Sequence, residues 1–198
     1  MLCVRTGERE LVIKKSRFIA YGYNIASRDE VKPIIAKLKE NHPAARHVCY
    51  GFIADEKGDD FGYDDNGEPN GTAGKPIYSA LAAAGVTKSL IAVVRYFGGI
   101  KLGAGGLTRA YRASAAEFIE ELGTATATRV CEYSVSCGGD AYKKVAAVLS
   151  NVGCAAENIV YADCVTFTVT ASPQTDVIAM LKPFGVKVEK TGEKYTYM

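Results

Sequence analysis

The residues with the clearest capacity for chemistry run from Arg95 to Arg109, RYFGGIKLGAGGLTR, with Arg112 one turn further on. Five of the nine residues in GGIKLGAGG, residues 98–106, are glycine. Glycine lets backbone amides approach a ligand closely. The helical pattern that follows would point unpaired N–H groups and a positive dipole end the same way. Arg95, Lys101, Arg109 and Arg112 add fixed cationic charge. Phosphate is the natural ligand of such a device, with the amides of Gly103, Gly105 and Gly106 as its cradle. The alternative is that these glycines only make a tight strand-to-helix turn. Nucleotide fingerprints do not fit. Gly74-Lys75 is followed by Pro76 and lacks the leading glycine of a Walker A loop. Counted from Gly103, the sixth Rossmann position is Thr108.

A second unit, DDNGEPNGTAGKP at 64–76, brings Glu68, Gly71, Thr72 and Lys75. Asp64, Asp65 and Glu68 could hold a hard cation through oxygen, but EF-hand spacing fails and a solvated turn is expected. Glu68 could instead form an ion pair with Lys75 or Arg95. His47 and Cys49 stand two apart on a strand pattern, hence on one face. Without an orienting group or further ligands they imply neither a nucleophile nor a zinc site, so a packed or hydrogen-bonded histidine is expected. Tyr63, Tyr78, Tyr96 and Tyr111 lie in or near the basic region and could stack bases.

Charge is distributed unevenly. Asp55 to Glu68 holds seven acids and one base, whereas residues 69–116 hold six bases and no acid. That span suggests a surface that meets anions, although the net charge is only +2. The 198 residues are 48% hydrophobic and 23% charged, enough to bury a core. Mean hydropathy is +0.00. No apolar run is long enough to span a bilayer, and the charged N-terminus lacks a signal core, so a cytoplasmic location is expected. Six cysteines without a CxxC pair are expected to be small buried hydrophobes.

The elements that must position these residues follow from periodicity. Residues 10–25 alternate as one or two strands. Ser27 and Glu30 have capping-box spacing before a helix over 28–41. A strand runs from His47 to Ala54, and residues 55–71 read as a loop or hairpin tip. Thr72 is placed to cap a helix over 73–84. Ser89 to Phe97 is nearly continuously apolar and predicts a central buried strand. Leu107 to Leu122 keeps one helical face, and Gly123 stops it. Residues 124–128, TATAT, read as a connector. Beyond it the order is strand (129–137), helix (139–151), strand (154–161), strand (164–171), helix (173–183), strand (185–191), the βαββαβ order of ferredoxin-like domains. An α+β protein with domains over 1–127 and 128–198 is expected.

GEPNGTAGKP at 67–76 followed by VVRYFGGIKLGAGGLTRAY at 93–111 closely resembles the YigZ/IMPACT family. His47-Val48-Cys49-Tyr50 and Ser16-Arg17-Phe18 fit the same pattern, and Asn70 departs from it where serine is expected. The resemblance covers about residues 15–123. It implies an N-terminal ribosomal protein S5 domain 2-like fold. For residues 130–198 it implies a ferredoxin-like domain similar to the last domain of translation elongation factor G. Eukaryotic relatives regulate translation through an additional domain, and bacterial members have no firmly assigned activity.

Together these point to a non-enzymatic module, with a regulatory role in translation, that binds RNA or a ribosome-associated factor. The basic glycine-rich turn would hold its phosphates, with His47, Glu68, Gly71, Thr72 and Tyr96 in support. The alternative is an enzyme acting on a phosphorylated small molecule at Glu68, Lys75, Arg95 and the glycine loop. A pocket joining those residues would favour the enzyme, and a flat basic groove the RNA. A protein-binding surface is a third reading. No cofactor, metal or membrane partner is expected.

Overall fold

The computed structural model describes residues 1–197. The chain divides into two compact units, Met1–Ala127 and Thr128–Tyr197.

The first unit is built on an antiparallel sheet. Its strands are β2 (Gly7–Ile13), β3 (Ser16–Asn24), β4 (His47–Ile53), β5 (Phe61–Asp64) and β6 (Ser89–Tyr96), in the order β2-β3-β6-β4-β5. β6 lies at the centre because both its faces are apolar. Ile91 and Val93 join a core with α2 (Gly74–Ala83) and α3 (Gly103–Leu122), through Ile77, Leu81, Leu107, Tyr111 and Phe118. Leu90, Ala92 and Val94 join a second core with α1 (Val31–Asn41), through Val31, Ile35 and Leu38. A strand covered on both faces loses the polar alternation of a half-exposed one, which explains its continuous apolar run. A short strand, β1 (Leu2–Val4), pairs with the first residues of β7 (Thr124–Cys137).

Three local expectations need correction. Residues 55–71 are not all loop, because β5 forms within them and pairs Phe61 with Ile53 and Asp64 with Tyr50. Residues 124–128 are not a connector but the start of β7, with Thr124 and Thr126 paired to β1. Ser27 and Glu30 do not form a reciprocal box. The Glu30 N–H is taken by the Ser27 carbonyl at 3.3 Å in a 3₁₀ turn, Arg28–Glu30, and Glu30 Oε1 accepts from the Ala26 N–H at 2.9 Å.

β2 and β3 are joined by two residues, Lys14 and Lys15, at φ 46° and 66°. Two positive φ values are what a type I′ hairpin requires, but Asn-Gly normally supplies them. For L-residues with long side chains this costs roughly 1–2 kcal/mol each. The turn packs on Gly98. A Cβ there would lie 2.0 Å from the Lys15 carbonyl carbon and oxygen, and the Gly98 N–H donates to Ser16 Oγ at 3.1 Å. Gly98→Ala should therefore lose about 1–3 kcal/mol in urea unfolding, since backbone must shift to admit one methyl.

In the second unit, the rest of β7 is followed by α4 (Gly139–Asn151), β8 (Ala156–Tyr161), β9 (Val165–Ala171), α5 (Val177–Leu181) and β10 (Lys187–Tyr197). The sheet order is β10-β7-β9-β8. Alternate β9 residues, Val165, Phe167, Val169 and Ala171, pack against Val145 and Leu149 of α4 and Val177 and Leu181 of α5. The helix expected over 173–183 is shorter. Residues 173–175 precede it, and Asp176 caps it by accepting from the Ala179 N–H at 2.9 Å. Five cysteines are buried as expected. Cys164 is exposed.

Candidate functional site

The site forms where β4, β6, the 65–73 turn and the start of α3 converge. Register pairs His47 directly with Arg95 across β4 and β6. The Arg95 side chain turns to the α2/α3 face and is buried. Its Nη1 donates to Glu68 Oε1 at 2.6 Å, and the two side chains are only 8% and 4% exposed. Tyr111 Oη donates to the same oxygen at 2.8 Å. The guanidinium lies over Phe18 and Phe97, 5.5 and 5.6 Å from the ring centroids. Arg95 Nε is buried and has no hydrogen-bond partner. A buried donor without an acceptor is costly, so this atom calls for an explanation.

Around this pair is a hollow of about 350 Å³. Its lining is Arg46, His47, Glu68, Pro69, Arg95, Phe97, Lys101, Leu102, Gly103, Ala104 and Leu107. The start of α3 opens here with no side-chain cap and no acid in its first turn. His47 Nδ1 lies 2.9 Å from the Asn66 carbonyl oxygen. A carbonyl only accepts, so Nδ1 is the donor here, and Nε2 is the ring nitrogen left for another partner.

The 64–76 segment is not a solvated turn. Asp65 reaches forward to the start of α2. Its Oδ2 accepts from the Gly71 N–H at 2.7 Å, and its Oδ1 from the N–H groups of Ala73 and Gly74 at 2.8 and 2.9 Å. Thr72 does not cap this helix. Its hydroxyl donates to the Pro69 carbonyl at 2.6 Å, and the amides it would serve are already held. Asp64 Oδ1 accepts from the Asn66 N–H at 2.6 Å, so the three acids face different partners. Among the described residues no group of three His, Cys, Asp or Glu could hold a metal.

The structure brings together His47, Glu68, Arg95, Lys101 and Gly103. Lys75 is exposed on α2 and outside the hollow, so Glu68 is the partner of Arg95 and not of Lys75. Gly106 and Arg109 line a neighbouring hollow. Gly105 is exposed at the start of α3, beside Arg109 Nη1. Arg112 is exposed further along α3. Gly71, at φ 75°, belongs to the turn that Asp65 holds. Tyr96 donates to or accepts from His42 Nδ1 at 2.8 Å, and Arg17 lies over its ring. It is packed with the α1 core, across the sheet from Arg95. Tyr111 is wholly buried, while Tyr63 and Tyr78 pack on each other with Phe61 stacked on Tyr78.

Sequence reasoning missed Arg46, the hold of Asp65 on the start of α2 and the bond from Tyr111 to Glu68. Arg46 could have been noticed as a base beside His47. The other two depend on contacts the chain order does not reveal.

Burial governs the proton equilibria below the hollow. It pushes the Cys49 thiol up to about 12 from 9.0, and Cys49 Sγ donates to the Asp65 carbonyl at 2.9 Å. Burial also raises Tyr111, helped by Cys49 and Glu68. On the opposite face, burial first and Glu8 second push Tyr21 up to about 12 from 10.0. These groups hold their protons in the folded chain at pH values where the unfolded chain has lost them. The folded state then binds more protons, so stability falls as pH rises through about 9 to 12. The urea midpoint is expected to drop across that range and to be insensitive to these groups below it.

Comparison with known proteins bears on the same residues. The family model described as the Impact N-terminal domain matches residues 14–119, which contain every residue lining the hollow. The IMPACT family member YigZ of Escherichia coli (strain K12) is 39% identical over 127 residues, 63% of this chain and 62% of that protein. The IMPACT family member YvyE of Bacillus subtilis (strain 168) is 42% identical over 117 residues, 59% of this chain and 54% of that protein. The chain thus spans little more than half the length of these relatives. A crystal structure described as that of a hypothetical protein superposes with a TM-score of 0.65 at 29% identity, covering 94% of this chain and 95% of that one. No helix among the described residues is long and apolar enough to cross a membrane. With the model matching more than half of the chain and its residues enclosing the whole hollow, the chain belongs to the family defined by the Impact N-terminal domain.

Proposed function

We propose that this chain is a non-enzymatic module that binds RNA by holding phosphate at the start of α3, in the translation setting the family resemblance implies. The observation that carries this is Arg95. Its side chain lines the hollow with its charge offset by Glu68, and its Nε is buried without a partner. A phosphate oxygen is the acceptor that would complete it, with Lys101 and Arg46 at the mouth and the uncapped amides of α3 beyond. The strand order of the second unit supports a ferredoxin-like assignment there, and the layered first unit supports the S5-like one.

The hollow itself favours a second reading, an enzyme acting on a phosphorylated small molecule. His47 lines it with Nε2 available as a base. Against that reading, Cys49 is buried and protonated, and Glu68 Oε1 already accepts twice.

The test is binding of the purified chain to a labelled oligouridylate across a salt series. Affinity should fall with salt, and Lys101→Ala or Arg46→Ala should each flatten the log–log slope by about 0.7. Absence of binding at about 50 mM salt overturns the RNA reading. Turnover of a phosphorylated metabolite that His47→Asn abolishes would establish the enzyme instead.

A further inference from the structure

A second hollow has a volume of about 310 Å³. Leu102 lines both hollows. The charged groups at the second are Lys14 and Arg109, and it has no carboxylate in its lining. Neither cation forms a salt bridge among the described residues, although Arg9, Arg17, Arg28 and Arg95 of the same unit all do. Gly106, in the first turn of α3, also lines it.

Lys14 is placed there by a strained turn. It and Lys15 hold the positive φ values of a hairpin that asparagine and glycine would make at lower cost. The turn is then clamped by its backbone contact with Gly98, the first residue of the glycine-rich segment. A conformation that costs energy and fixes a cation at the rim of a cavity is the kind retained for binding.

We infer that this second hollow is a phosphate site in its own right, and that the ligand is a phosphodiester chain crossing Leu102 with successive phosphates in the two hollows. This rests on the RNA reading of the first hollow. A single phosphorylated molecule would fill one hollow and leave the other cation pair unused.

The experiment compares uridine 5′-monophosphate with hexauridylate as probes. The proteins are wild type, Lys101→Ala, Arg109→Ala and Lys14→Gly. Glycine accepts the positive φ at position 14, so that variant keeps the turn. Lys14→Gly and Arg109→Ala should each weaken the hexamer about fivefold at 0.1 M salt and flatten its salt slope by about 0.7. In both, the affinity advantage of the hexamer over the monophosphate should shrink. If they bind hexamer as wild type does while Lys101→Ala is weakened, the second site is overturned and the first survives. A hexamer held no tighter than the monophosphate by wild type also overturns it. If wild type binds neither probe, the RNA reading fails and the second site falls with it.

Discussion

Glu68→Gln should destabilise the first unit by about 3–5 kcal/mol, because it leaves the Arg95 guanidinium buried without its counter-charge. Both side chains are more than nine-tenths buried, so water cannot take over the lost role. Against total stabilities of order 5–15 kcal/mol this is a large fraction. The direction is informative because a buried pair is weak evidence of net stabilisation, whereas half a pair is a liability. Adding Arg95→Met to Glu68→Gln should recover most of the loss, since no buried charge then remains. Phosphate affinity should not return with stability, because Arg95 Nε is gone. Urea unfolding of the wild type, both single variants and the double variant measures the cycle. A Glu68→Gln variant within about 1 kcal/mol of wild type would show that the pair is hydrated in solution.

Asp65→Ala is the second large effect, at about 2–4 kcal/mol. One carboxylate takes three backbone N–H groups, those of Gly71, Ala73 and Gly74. Hydrogen bonds to a charged acceptor contribute roughly 1.5–3 kcal/mol each, but part of that is regained when water reaches the freed amides. Losing a helix cap alone typically costs about 1 kcal/mol. Asp65→Asn retains an acceptor oxygen and should cost less than half as much. Thr72→Ala should cost under about 1 kcal/mol, since its hydroxyl serves only the Pro69 carbonyl. If Thr72→Ala proved the more damaging of the two, the assignment of Asp65 as the cap would be wrong.

What the sequence made legible depended on periodicity. β6 and α3 declare themselves because Leu90 to Val94 and Leu107 to Phe118 carry a burial pattern long enough to read. The lone acid Glu68 beside the 71–75 segment is legible as an ion-pair partner of Lys75 or Arg95, and it is Arg95 that it meets. β5 was hidden because Phe61 to Asp64 sits among aspartates and glycines and pairs only with β4. Capping was misread at Thr72 because local spacing favours the adjacent hydroxyl, whereas the acceptor comes from Asp65, up to nine residues earlier. The Lys14–Lys15 turn was invisible for another reason. Its residues contradict their own propensity, and only packing on Gly98 holds them there. Tyr96 looked like part of the basic region by proximity in sequence, but strand alternation sends it to the opposite face.

The two helices of the main core begin differently, and this has a spectroscopic consequence. The amides at the start of α2 are occupied by the chain's own carboxylate, so their solvent hydrogen exchange should be slow whether or not a ligand is present. The first amides of α3 have no such occupant and should exchange readily in the free protein. Gly74 and Gly105 thus form a built-in reference and reporter pair, one silent and one responsive, from which the occupancy of the glycine turn can be read without labelling any ligand.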